Sequence, residues 1–201
     1  MRAESATTRA PGPLAGPPRA LQRRKAAEVA LAGLGVSMIL VVAIDPDRGA
    51  LANGLVLTWT LAAITLTDLD LRVIPNRILL IAALTGLVMA ALSDPGSLAG
   101  RSSAAALIGA VLLLLALAAP GGFGMGDVKL GAVMGLFLGA AVVPALVVAF
   151  LLGSLAGGVL ILRHGLEARG RTIPFGPFLA VGGVVGLLGG AQILSWYLSG
   201  L

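Results

Sequence analysis

Residues 127–162 read DVKLGAVMGLFLGAAVVPALVVAFLLGSLAGGVLIL, and the way this stretch divides decides the fold. No charged side chain follows Lys129 within it. A bilayer core is crossed by about 20 helical residues, so the run is too long for one span. Pro144 also disfavours a helix interior, because proline lacks a backbone donor and clashes with the preceding turn. A division near residues 141–144 therefore predicts two helices, 127–141 and 143–162. The first would be only about 21 Å long at the usual helical rise. The glycine-rich segment before it is then expected to dip into the membrane, as irregular backbone can where it lines a cavity.

Outward from this stretch, apolar runs at 26–44, 50–67, 77–93, 102–120 and 178–198 bring the expectation to about seven transmembrane helices. Hydrophobic residues make up 58% of the chain and charged residues 11%, far below the roughly 25% charged residues of soluble domains. The fold class is thus an all-α polytopic helical bundle in a lipid bilayer, occupying residues 26–201. Residues 1–25 are rich in Pro, Ala and Arg, lack apolar periodicity, and read as a disordered tail. Arg23, Arg24 and Lys25 before an apolar run resemble the start of a signal peptide. AIDPDRGA is a poor cleavage site, so run 26–44 is expected to stay as the first helix.

The charges predict an orientation. With the N-terminus cytoplasmic and seven crossings, the inner segments hold Arg2, Arg9, Arg19, Arg23, Arg24, Lys25, Arg72, Arg77, Lys129, Arg163, Arg169 and Arg171. Only Arg48 and Arg101 of the 14 basic residues fall outside, as the positive-inside rule requires. The net charge of +5 therefore reads as membrane orientation, and no nucleic-acid partner is expected. The absence of cysteine excludes disulfides, thiolate metal sites and a cysteine nucleophile. His164, the single histidine, reads as a solvated loop residue.

The same topology puts Asp68 and Asp127 in different loops on one side of the membrane. The chain has only nine acidic residues, and a carboxylate at a membrane boundary is a default candidate for function. In TLTDLDLRVIPNR, Asp68 and Asp70 follow an apolar helix, and Pro75 fixes the start of the next. Asp68-Leu69-Asp70 could also be a metal-binding DxD, but no further acidic cluster supports it. In GGFGMGDVKL, the glycines allow close backbone approach. A phosphate cradle is disfavoured because Asp127 would repel the anion. Gly131, Gly135 and Gly139 form one helical stripe, and Gly153 and Gly157 another, each suited to close helix packing.

GMGD matches the GxGD motif of intramembrane aspartyl proteases. DLDLRVIPN resembles the first aspartate motif of the type IV prepilin peptidases, and residues 173–180, IPFGPFLA, resemble the segment before that family's last helix. The resemblance spans residues 65–180. It implies that Asp68 and Asp127 are the catalytic pair, with Gly124 and Gly126 flanking the second. Pro75, Asn76 and Lys129 also match family positions, and Asp70 could bind a basic leader. No metal or cofactor is implied. The implied substrate is a prepilin or pseudopilin of a type IV pilus or protein-secretion system. Cleavage would occur at the cytoplasmic face of a bacterial-type inner membrane. Larger members carry two Cys-x-x-Cys pairs linked to methylation, which this chain lacks, so methyltransferase activity is not expected. Two alternatives stay open on the residues alone: a proton-coupled transporter or channel component using the same carboxylates, and an assembly scaffold with a degenerate site.

Overall fold

The computed structural model describes residues 28, 48–118, 123–164 and 173–200, and every regular element among them from residue 49 onward is helical. The expected tail 1–25 lies outside the described residues, as does the expected first helix 26–44 apart from Glu28. The helices are α1 (Gly49–Leu71), α2 (Asn76–Ser93), α3 (Leu98–Ala118), α4 (Met125–Leu138), α5 (Val142–His164) and α6 (Gly176–Ser199). Short 3-10 turns, Pro95–Ser97 and Gly139–Ala141, join α2 to α3 and α4 to α5.

Among the described residues, five helical stretches are long and apolar enough to cross a membrane. One of them is the 39-residue run Met125–Arg163, which contains both α4 and α5. It breaks at Gly139, whose φ of 57° is open to glycine at little cost. Pro144 falls in the first turn of α5, where a missing backbone donor costs nothing. At 14 residues, α4 is about 21 Å long, shorter than a bilayer core of about 30 Å.

Two boundaries correct the sequence reading. Helix α1 continues through Thr67, Asp68 and Asp70 to Leu71, so both aspartates stand in its last turn and not in a loop after it. Polar side chains do not interrupt a helix whose backbone bonds can continue. His164 is the last residue of α5, not part of the following connection.

Small residues bring the helices together, as expected where lipid and protein are equally apolar. A Cβ on Gly135 would lie 2.8 Å from Ala105 Cα, so α4 rides directly on the α3 backbone. Gly131 packs against Leu112 of α3 and Gly86 of α2 against the Phe137 ring. On α6, Gly182, Gly186 and Gly190 face Ala145 and Ala141, running antiparallel to α5. Gly153 accommodates the ring of Phe175, whereas Gly157 has nothing within 4 Å. The second stripe therefore splits into one packed position and one open one. Helix α1 supplies the centre of the core, with Val56, Leu57 and Ile64 fully buried beside Ile78, Leu130, Met134 and Leu179. At the far end of α4, the Phe137 carbonyl accepts from Asn53 Nδ2 (3.0 Å) and an Arg101 guanidinium nitrogen (3.2 Å), which satisfies a helix-terminal group that has no helical partner.

Candidate active site

Leu57, Leu61, Ile64 and Asp68 recur at the three- and four-residue spacing that keeps side chains on one helix face, and all four are buried. The stripe that builds the core thus ends in a carboxylate, 6% exposed. Asp68 Oδ2 accepts a hydrogen bond from the backbone N–H of Gly176 at 2.9 Å. Gly176 opens α6, and Pro177 follows it in the first turn. The carboxylate therefore meets a helix N-terminus, where unpaired N–H groups and the helix dipole favour an anion. Glycine permits this approach, because a Cβ there would sit 2.7 Å from Asp68 Oδ2. The main chain of Asp68 is held as well, since its carbonyl accepts from the N–H of Arg72 at 2.8 Å.

Asp127 is 9% exposed and stands in the first turn of α4, whose N-cap is Gly124. Its backbone N–H donates to the Gly124 carbonyl at 3.0 Å, and its carboxylate folds back toward Gly124. A Cβ on Gly124 would lie 2.9 Å from Asp127 Oδ2. Gly126 has a different task. A Cβ there would meet Ile74 Cβ at 2.8 Å, so its absence lets α4 press on the α1–α2 connection.

Pro75 is the buried N-cap of α2, one position before the first helical residue, and its carbonyl accepts from Ile78 N–H at 3.1 Å. Asn76 Oδ1 accepts from Lys129 Nζ at 2.9 Å, tying the start of α2 to α4. These contacts close a cavity of about 320 Å³ on which Asp68 and Asp127 both open, together with Asn76, Gly124, Gly126 and Lys129. Asp70 is exposed and does not line it. Arg72 does line it, as do Val73, Ile74 and Met125. A larger cavity of about 470 Å³ lies between α5 and α6. Among the described residues its lining, Val143, Pro144, Val147, Val148, Ile193, Leu194, Trp196 and Tyr197, carries no carboxylate, so the candidate chemistry belongs to the smaller one.

Two buried carboxyls on one cavity, carried by helices far apart in sequence, are the arrangement of paired acid–base chemistry. A family model described as the type IV leader peptidase family matches residues 55–162, a segment that contains both aspartates. The chain belongs to the type IV leader peptidase family. Among curated relatives, "Prepilin leader peptidase/N-methyltransferase" of Aeromonas salmonicida (strain A449) is 36% identical over 174 residues, covering 82% of this chain and 58% of the relative. The protein of that name in Pseudomonas aeruginosa is 36% identical over 155 residues, covering 72% and 51%. The one in Bacillus subtilis (strain 168) is 37% identical over 147 residues, covering 69% and 56%. The chain thus spans little more than half the length of these relatives. No solved structure matches it.

The leader peptidase reading of the sequence had singled out Asp68, Asp127, Asn76, Gly124, Gly126 and Lys129, which the fold gathers at one cavity, with Pro75 just behind. It had missed Arg72 and Gly176. The signal for Gly176 was present in IPFGPFLA, but its contact with Asp68 crosses 108 positions and cannot be read from local pattern.

Proposed function

We propose that this protein is a membrane aspartyl endopeptidase that removes the basic leader of prepilins or pseudopilins, with Asp68 and Asp127 as the catalytic pair. The observation that carries the reading is the opening of both buried aspartates on one cavity. The mechanism needs one of the two carboxyls as general base and the other as general acid, a division of labour that two carboxyls on one cavity can supply. The ionised one takes a proton from water, the water attacks the scissile carbonyl, and the protonated one donates to the developing oxyanion. Gly124 and Gly126 admit the close backbone approach, Pro75 starts α2, and the Asn76–Lys129 bond keeps the two walls in register. Asp70 is left with a minor part, at most a contact to the basic leader from outside the cavity.

The substrate class follows from the relatives' name, of which only the peptidase part is taken over. The topology proposed with it has seven spans, counting run 26–44, in a bacterial inner membrane with tail 1–25 cytoplasmic. Support comes from the helix ends. Arg72, Arg77, Lys129 and Arg163 belong to the ends that meet around the site, and Arg48 and Arg101 to the opposite ends. The leader, cytoplasmic and basic, would then reach the site without crossing the bilayer. A transporter reading is not favoured, because the family is one of peptidases.

The test is leader removal from a co-expressed prepilin, with membrane protein level measured in the same sample. Asp68→Asn and Asp127→Asn should each abolish cleavage while insertion persists. The double variant should be scarcely worse than either, as for groups acting as one unit. Asp70→Asn should be much milder. Full cleavage by Asp127→Asn would sink the peptidase reading.

A further inference from the structure

Four phenylalanines gather beside the site without lining its cavity. The Phe123 and Phe175 rings meet edge to face, with centroids 5.4 Å apart and planes at 66°. Both also rest on Phe150 of α5, at 5.9 and 5.4 Å. Gly153 supports the arrangement, since a Cβ there would lie 2.7 Å from the Phe175 ring. Phe178 touches this group at one edge only, 6.0 Å from Phe175.

The sequence adds what packing alone would not require. Phe123 is followed directly by Gly124 and Phe175 directly by Gly176, and these are the two Phe-Gly dipeptides of the chain. Each glycine's backbone meets one aspartate: the Gly176 N–H donates to the Asp68 carboxylate at 2.9 Å, and Gly124 accepts from the Asp127 N–H at 3.0 Å and lies so close to its carboxylate that a Cβ would sit 2.9 Å from Oδ2. Adjacent Cα atoms are about 3.8 Å apart across a rigid peptide plane, so a displaced ring moves its neighbouring amide.

We propose that Phe123-Gly124 and Phe175-Gly176 form a paired clasp, in which contact between the two rings sets the separation of the two aspartate carboxyls. Phe123 and Phe175 are on this view positioning residues, acting through the glycine backbones. The clasp rests on the peptidase reading for its consequence in catalysis, but not for its geometry. A helix carrying Asp68 and a helix carrying Asp127 need a common reference, and the Phe150 platform on α5 supplies one that belongs to neither.

Steady-state cleavage of a purified prepilin by the detergent-solubilised protein tests the catalytic side. Phe123→Leu and Phe175→Leu keep an apolar side chain but lose the ring contact. Each should lower kcat by about tenfold or more with KM within about twofold, since misplacement by about 1 Å at a reacting centre is costly. The double variant should be no worse than the poorer single one, because one contact is lost in all three. Phe175→Tyr, which restores the ring, should recover kcat to within about threefold, and Phe178→Leu should stay within about twofold of the parent. Equal loss in Phe178→Leu, or parental kcat in both single Leu variants, would overturn the clasp.

A second measurement needs no activity. Protein labelled with carbonyl-13C phenylalanine and 15N glycine gives two coupled amide signals, from Gly124 and Gly176. The Gly176 signal should move in Asp68→Asn and also in Phe123→Leu or, should that variant not accumulate, in Phe123→Met. A Gly176 signal blind to residue 123 would refute the clasp. Full cleavage by Asp68→Asn would refute the peptidase reading instead, while leaving these shifts readable.

Discussion

Arg72 is, among the described residues, the one non-glycine residue with positive φ, at 51°. For an L-residue the left-handed region costs about 1–2 kcal/mol, and glycine is the usual choice where a helix ends this way. An arginine stands here while lining the cavity, which motivates the prediction that its side chain serves the site. Arg72→Gly should therefore raise the thermal midpoint of the solubilised protein, by relief of about 1 kcal/mol, and lower leader cleavage in the same sample. Unchanged cleavage would leave the strain without a purpose. At this scale the sequence was informative where chemistry is intrinsic to a residue type. Asp68 and Asp127 stood out because charge is scarce in an apolar chain, and Lys129 by its match to a family position. The backbone angle of Arg72 and the amide of Gly176 carry no such mark, since any residue has a φ and nearly any has an N–H.

Among the elements, α4 is the informative one. Its glycine stripe pointed correctly to close packing at Gly131 and Gly135, whereas Gly139 lies past the helix end with a positive φ and only ordinary contact; at Gly135 the space where a Cβ would go is taken by Ala105 backbone. Backbone cannot step aside as a side-chain tip can. Gly135→Ala should cost about 1–3 kcal/mol by overpacking. Gly157→Ala, with open space around it, should be neutral or more stable by about 0.5–1 kcal/mol through helix propensity alone. Thermal unfolding of both variants in one detergent checks the contrast, and equal effects would mean that spacing, not contact, had been read. The apolar runs located the described helices well, because burial in lipid is what makes a run apolar. They failed at the polar end of α1, where Asp68 belongs to the helix by hydrogen bonding although it breaks the hydropathy. The division of the 39-residue run was legible from length and Pro144, whereas the turn itself falls at Gly139, where the backbone takes a positive φ.

For the whole molecule, the site joins the end of α1 and the starts of α2, α4 and α6 on one side. The opposite side gathers the start of α1 with the end of α2, where Gly49 meets Ser93. Reporter fusions within residues 94–97 should report the outer side and those within 165–172 the cytoplasm. Reversed signals would put the site on the wrong side for a cytoplasmic leader. The hydrogen bond from Gly176 to Asp68 has a consequence of another kind, in the inheritance of the chain. The first aspartate is carried by the early half of the sequence and seated by the late half. The second is carried by the late half and presses, through Gly126, on Ile74 of the early half. Drift at one end is therefore answerable at the other, and a change tolerated beside Gly176 in one lineage should be matched by change around Asp68, 108 positions earlier. The two motifs are expected to change together.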